Sequence, residues 1–275
     1  MSGRPYAEVI GDPIAHSKSP LIHNFWLRKL GIDAEYRACH VRAEELEDYF
    51  GRRRGDAGWR GCNVTSPHKV SALQFADGVD ASAFEIGATN CLFARERLLH
   101  ATNTDCAGVV GAIEKFDPPF CLIGNGGAAR AALAALDPVR AEQLRLLVRN
   151  QAAGLRMIES MTPLEGSVFG FDRIKESIEG CNGLINATSL GMVGQSPMPA
   201  AVLDAVMTLA PGALVFDMVY APLRTELLRR AEAAGLRCID GLTMLIGQAA
   251  TAFENFFGEQ APRQHDAELR ALLTA

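Results

Sequence analysis

Residues 120–136 read FCLIGNGGAARAALAAL: a short apolar run, a glycine cluster and an alanine-rich segment with no spacer between them. Phe120 to Ile123 suits a short buried strand and is too brief for a helix. From Ala128 to about Leu136 the alanines favour a helix. A glycine turn between the two lets the backbone approach a ligand closely, and the helix start presents N–H groups without intrahelical partners. Gly124, Asn125, Gly126, Gly127 and Ala128 are therefore candidates for holding the pyrophosphate of a dinucleotide. The spacing is G-x-G-G-A rather than G-x-G-x-x-G, and a glycine turn kept only for packing is the alternative.

The same rhythm of short apolar strands and amphipathic helices extends outward. Downstream, strands are expected at Gln143–Val148, Ser167–Phe169, Gly183–Asn186, Ala213–Asp217 and Arg237–Ile239, with a helix over about Leu223–Ala234. Upstream, Tyr6–Ile10 reads as a strand closed by Gly11-Asp12-Pro13. Ser19 is a natural N-cap with Pro20 at the first helical position, and that helix ends near Leu30 before Gly31. Ala34–Val41 is strand-like, Glu44–Phe50 helical and Trp59–Val64 strand-like again. Ser66 and Pro67 read as the start of another helix. Ala88–Ala94 and Leu98–Thr102 look extended, and Asp105 begins a helix reaching about Phe116. Such alternation predicts α/β structure with a parallel sheet, and Asp117-Pro118-Pro119 marks a candidate seam.

Composition narrows the function. The chain has 275 residues, 48% hydrophobic and 21% charged, which excludes disorder as its main state. A net charge of −5 offers no basic field for a nucleic acid. The longest apolar runs, such as Pro211–Val219, fall short of the ~20 residues a membrane span needs. The first residues, MSGRPYAEVIGDP, lack the apolar core of a signal peptide. Seven cysteines without a CxxC pair read as reduced, mostly buried thiols, and the scattered histidines give no metal-ligand spacing. The expectation is a soluble, cytoplasmic protein with no metal, no nucleic-acid partner and no membrane partner.

Four further patches carry chemistry. Val148-Arg149-Asn150 ends the second strand after the glycine loop, where an acidic residue would accept from a ribose hydroxyl. There is none, and Arg149 suits a 2′-phosphate instead, a solvated surface arginine being the alternative. Ser17-Lys18-Ser19 places two hydroxyls after the first strand. Asn63-Val64-Thr65-Ser66-Pro67-His68-Lys69 sets Thr65 at a strand end and Lys69 near a helix start. Asn103-Thr104-Asp105 puts a carboxylate just before the seam. Taken singly, each has an ordinary reading as a cap, a solvated lysine or a helix-start charge.

Together they resemble the shikimate dehydrogenase family. The match is carried by GDPIAHSKSPLIHN (11–24), NVTSPHK (63–69), GATN (87–90), NTD (103–105), GNGGAAR (124–130), INATSLGM (185–192), DMVYAP (217–222) and GLTMLIGQAA (241–250), in the family's order along essentially the whole chain. The family's N-R-T-x-x-R keeps only Arg149 here, Asn125 replaces its usual alanine, and Thr89 its usual valine.

The resemblance implies two α/β domains with the site in the cleft between them. These are a substrate-binding domain, 1–104 plus 241–275, and a Rossmann-like NADP-binding domain, 105–240. It implies NADPH-dependent reduction of 3-dehydroshikimate to shikimate, in aromatic amino acid biosynthesis, with NAD the lesser candidate and the chain a monomer or homodimer. Lys69 and Asp105 would be the catalytic pair. Ser17, Ser19, Thr65, Asn90, Asp105, Tyr220 and Gln248 would hold the substrate. Met218 and Gly241 would join Gly124, Asn125, Gly126, Gly127, Ala128 and Arg149 at the cofactor. The chemistry agrees: hydride reduction of a ketone builds negative charge on oxygen, which needs a cation and a proton donor. A polyhydroxylated ring is best selected by hydroxyl and amide side chains, since a missing partner leaves a polar group unpaired. The alternatives are an NAD-using quinate dehydrogenase, a non-catalytic NADP or metabolite sensor, and a dinucleotide-binding lyase or folate-type dehydrogenase, the last unsupported by the SKS and NVTSPHK patches.

Overall fold

The computed structural model describes residues 3–113, 118–135, 143–161 and 166–274. The chain divides into two compact units, Met1–Thr104 with Ile246–Ala275, and Asp105–Leu245. The resemblance set the second crossing at 240–241. The partition falls at 245–246, inside the helix Gly241–Phe257.

The second unit holds a six-stranded sheet of β7 (Phe120–Ile123), β8 (Leu144–Val148), β9 (Gly166–Gly170), β10 (Gly183–Asn186), β11 (Leu214–Asp217) and β12 (Arg237–Ile239). Their spatial order is β12-β11-β10-β7-β8-β9 and every pairing is parallel. Counted from β7, this is the 3-2-1-4-5-6 order of a doubly wound nucleotide-binding sheet, whose order reverses beside β7. Buried side chains alternate between two cores. Phe120, Leu122, Leu146 and Phe216 pack on one face with Ala129, Leu133 and Met157. Cys121, Ile123, Leu147 and Val215 pack on the other with Ile178, Val202 and Leu227. Helices on both faces are what let these strands be apolar on both sides.

The first unit has a mixed sheet of β1 (Tyr6–Gly11), β2 (Glu35–His40), β3 (Trp59–Val64), β4 (Gly78–Val79), β5 (Cys91–Arg95) and β6 (Leu98–Thr102), ordered β2-β1-β3-β5-β6-β4. β1 runs parallel to both neighbours, whereas β3, β5 and β6 are joined antiparallel. β1 is buried throughout and yet carries Glu8, 1% exposed. Its carboxylate accepts from Arg37 Nε (3.0 Å), Arg53 Nε (2.7 Å) and the Tyr49 hydroxyl (2.8 Å). A buried charge with several charge-assisted partners is how such a residue is tolerated in a core strand.

Two local expectations are corrected. Ser19 is not the cap of α1 (Ser19–Leu30). Lys18 holds that position without a side-chain bond, and Ser19 is buried as the first helical residue. No helix begins at Ser66-Pro67. The chain there makes consecutive turns, followed by a short 3-10 segment at Ser71–Phe75. The segment is instead tied to its neighbours: the buried His68 ring bonds the Val41 carbonyl at 2.6 Å, and the Ser66 and Lys69 carbonyls accept from the N–H groups of Asp12 (3.2 Å) and Thr89 (2.8 Å). The expected helix end at Phe116 and Leu136 of the alanine helix lie outside the described residues. α4 is seen over Asp105–Ile113 and α5 over Gly127–Ala134.

Candidate active site

In the first unit, three expected site residues belong to one hydrogen-bonded cluster or sit beside it. Asn90 precedes β5 and is buried. Its Nδ2 donates to Thr104 Oγ1 (3.0 Å), and its Oδ1 accepts from the Thr104 N–H (2.7 Å). Gln248 Oε1 lies 3.5 Å from Asn90 Nδ2 and 3.4 Å from Thr104 Oγ1. Residues 90, 104 and 248, distant in sequence, thus hold one another's amide and hydroxyl groups. Lys69 enters by its backbone: the Thr89 N–H donates to the Lys69 carbonyl at 2.8 Å, placing the lysine next to Asn90. Thr65 follows β3, its N–H bonded to the Ile10 carbonyl at 2.9 Å. Ser17 Oγ accepts from the Ser19 N–H (3.3 Å), whereas Lys18 Nζ bonds the Leu273 carbonyl. In the SKS loop the lysine is thus anchored to the C-terminal helix.

The Asn90 carbonyl is fixed from behind. It accepts from the Val64 N–H (2.8 Å) and from Asn63 Nδ2 (3.1 Å), and Asn63 Oδ1 in turn accepts from the Tyr36 hydroxyl (2.6 Å). Tyr36 is held by LIHN: Asn24 bonds its main chain on both sides, and the His23 ring stacks on it at 3.9 Å. Desolvation holds His23 neutral, its pKa pushed down to about 3. Thr89, in place of valine, donates its hydroxyl to the Thr102 carbonyl at 2.8 Å, so the added polar atom is satisfied.

In the second unit the candidate residues are set by backbone. Gly124 has φ +110°, and a Cβ there would fall 2.7 Å from Thr188 Cγ2. Only glycine combines that conformation with that approach. Gly126 is the N-cap of α5 without any side-chain cap bond, and nothing lies within 4 Å of where its Cβ would be. The first turn of α5 is therefore left without a side-chain cap, beside a glycine with room around it. This fits the pyrophosphate of a dinucleotide. Arg149 follows β8 and is exposed. Asn150 beside it is spent on structure, capping the next helix through the Ala153 N–H (3.1 Å).

A buried network ties the remaining loops to this turn. Asp217, 0% exposed at the end of β11, accepts from Asn186 Nδ2 (2.9 Å), the Val219 N–H (3.0 Å) and the Thr225 hydroxyl (2.6 Å). Asn186 Oδ1 accepts from the Thr188 hydroxyl (2.6 Å), and Thr188 is the residue against which Gly124 packs. One carboxylate so connects β10, the Met218–Tyr220 segment and a helix cap. Desolvation pushes the Asp217 pKa up, and its three donors pull it back. Gly241 packs on the backbone of Met218 and Val219, its Cβ position 2.6 Å from the Val219 carbonyl oxygen. Glycine is required there by close approach, not by a left-handed backbone. Asp105 starts α4 and is buried. Tyr220 is partly buried, and desolvation raises its pKa, so its hydroxyl keeps its proton at neutral pH.

Relatives match this chain from end to end. The shikimate dehydrogenase (NADP(+)) of Sphingopyxis alaskensis is 46% identical over 275 residues, covering 98% of this chain and 97% of that protein. This chain belongs to the shikimate dehydrogenase family. The family's substrate binding domain matches residues 9–92, and its C-terminal domain residues 241–268. Among solved structures, shikimate 5-dehydrogenase of Thermus thermophilus, in complex with NADP(H) and shikimate, has a TM-score of 0.84 at 30% identity, covering 98% of this chain and 99% of that one. The Listeria monocytogenes enzyme, in complex with shikimate and NAD, has a TM-score of 0.84 at 27% identity, covering 98% and 97%. Within this shikimate dehydrogenase family member, sequence reasoning missed Thr104, Tyr36, Asn63 and Asp217. Asn63, Thr104 and Asp217 stood inside quoted motifs, and tracing polar residues at or just after strand ends was the signal for them. Tyr36 carried no such signal.

Proposed function

We propose that this protein is an NADP-dependent shikimate dehydrogenase, reversibly reducing 3-dehydroshikimate to shikimate on the route to chorismate and the aromatic amino acids. The observation that carries this reading is the end-to-end relationship at 46% identity to a protein of that name, in a chain that keeps Lys69 and Asp105. Bound NADPH supplies the hydride. As charge grows on the substrate oxygen, the Lys69 ammonium stabilises it and delivers the proton. Asp105 is the second member of the acid–base pair. Ser17, Ser19, Thr65, Asn90, Tyr220 and Gln248 bind the ring's hydroxyls and carboxylate, with Asn90 and Gln248 already oriented by Thr104. Gly124, Asn125, Gly126, Gly127 and Ala128 hold the pyrophosphate, Met218 and Gly241 complete the cofactor site, and Arg149 takes the 2′-phosphate.

We assign the first unit to substrate and the second to the dinucleotide, and place the protein in the cytoplasm as a monomer or homodimer. No helix among the described residues is long and apolar enough to cross a membrane. The deciding experiment measures turnover of shikimate and quinate, each with NADP and NAD. Highest kcat/KM for shikimate with NADP supports the reading. Preference for quinate with NAD replaces it by the cyclitol-oxidising alternative, and no turnover with any pair replaces it by a binding role.

A further inference from the structure

The chain contains two Asn-Gly dipeptides, and the fold treats them oppositely. Asn182-Gly183 is locked. The Asn182 Nδ2 donates to the Pro118 carbonyl (2.7 Å), its N–H to Pro119 (2.7 Å), and its carbonyl accepts from Leu214 (3.0 Å). Gly183 is buried in β10, flanked by β7 and β11. Asn125-Gly126 is open, with both residues exposed. Among the described residues neither the Asn125 side chain nor the Gly126 N–H forms a hydrogen bond. No heavy atom outside the adjoining chain lies within 4 Å of the Gly126 Cβ position.

We propose that Asn125-Gly126 is a site of spontaneous deamination that bound dinucleotide shields and that, once converted, weakens dinucleotide binding. This rests on the reading of the loop as the pyrophosphate site. In the first step the Gly126 amide nitrogen gives its proton to a solvent base and attacks the Asn125 side-chain carbonyl carbon. A nitrogen–carbon bond forms, closing a five-membered imide. The carboxamide carbon–nitrogen bond breaks, and that nitrogen leaves as ammonia after taking up a proton. Water then opens the imide at either carbonyl, giving aspartate or isoaspartate, so that asparagine and water become an acid and ammonia with no oxidant or reductant.

The reaction needs an amide nitrogen that is not hydrogen-bonded, no side chain on the following residue, and a backbone able to bring nitrogen to carbonyl. Residues 125 and 126 offer the first two openly and sit in a turn. At 182–183 the strand and three hydrogen bonds withhold the required motion. The product sets a negative charge beside α5, where the cofactor's own phosphates would lie, and like charges repel strongly at such separations. Isoaspartate also adds a methylene to the main chain directly before α5, displacing the backbone N–H groups that would meet the phosphates.

The test ages the purified full-length protein at mildly alkaline pH, with and without saturating NADP, and follows peptides spanning residues 125 and 182 by mass. NADP affinity is measured calorimetrically on fresh and aged samples. The expected result is acid accumulating at 125 and not at 182, severalfold more slowly with NADP present. Aged protein and N125D should bind NADP roughly tenfold or more weakly, about 1.4 kcal/mol per tenfold. N125A should show no drift in affinity from its own unaged value. Persistence of the amide at 125, equal conversion at both sites, or unchanged affinity after conversion would overturn the proposal. A fresh sample that fails to bind NADP overturns the dinucleotide reading and the shielding with it, while the mass readout at 125 still decides the chemistry.

Discussion

The two sheets have six strands each and solve opposite problems. In the second unit β7, β10 and β11 are buried at every residue, all pairings are parallel, and the functional turn is made from backbone and glycine. In the first unit the buried strand β1 carries a glutamate, and the functional groups are side chains held by other side chains. A phosphate-binding turn needs free N–H groups and closeness, which glycine and a helix end supply. Recognition of a hydroxylated ring needs donors and acceptors fixed in direction, which takes a layer of supporting hydrogen bonds. Substitutions at the polar residues of the first unit should therefore act on chemistry and polar order, those at the glycine turn and Arg149 of the second on cofactor affinity.

The largest effect should come from Lys69. Lys69→Ala is expected to lower kcat by roughly 10²–10⁴, with a much smaller change in the shikimate KM, because the interaction matures in the transition state. Raised KM with near-normal kcat would reduce Lys69 to a binding contact. Next is the buried glutamate. Arg53→Met should lower the unfolding free energy in urea by about 3–5 kcal/mol, since it leaves Glu8 charged and fully buried with one cation fewer. Glu8→Gln should cost less, about 1–3 kcal/mol, because Arg37 and Arg53 are partly exposed and regain water. Equal costs would show that the cluster is not organised around Glu8.

His23 gives a pH-dependent effect. Its folded pKa of about 3 lies below that of a free histidine, so the unfolded chain takes up the proton first. Its contribution is intact above the ordinary histidine pKa of about 6.5 and is lost as pH falls from there towards about 3. His23→Leu should flatten that part of the stability profile in denaturation followed across pH, and an unchanged profile would assign it to other groups. The smallest effect is Arg149→Ala, expected to raise the NADP KM by roughly tenfold, about 1.4 kcal/mol, while leaving NAD nearly untouched. Equal losses with both cofactors would make Arg149 structural.

Much of the second unit was legible because its physics is local. FCLI, GLIN and LVFD read as strands from apolar content alone, and the glycine loop from its place between strand and helix. Asn90, Thr65, Lys69 and Gln248 were reached through the family's motifs, since spacing by itself does not bring residue 90 to residue 248. What stayed hidden depends on tertiary contact. Ser66-Pro67 has the composition of a helix start, but the chain makes turns there, tied by hydrogen bonds to Asp12, Val41 and Thr89, all distant in sequence. Tyr36 looks like any aromatic strand residue until His23, Asn24 and Asn63 are found around it. Gly241 was reached only through the family's motifs, and in the structure it marks a tight contact with Met218 and Val219.

The division of labour is tested most directly by one matrix of steady-state constants: wild type, Lys69→Ala and Arg149→Ala, each with shikimate varied at saturating NADP and NADP varied at saturating shikimate. The account predicts that Lys69→Ala loses kcat while both KM values stay near wild type, and that Arg149→Ala raises the NADP KM alone. A loss of NADP affinity in Lys69→Ala, or a loss of kcat at saturating NADP in Arg149→Ala matching that of Lys69→Ala, would contradict it.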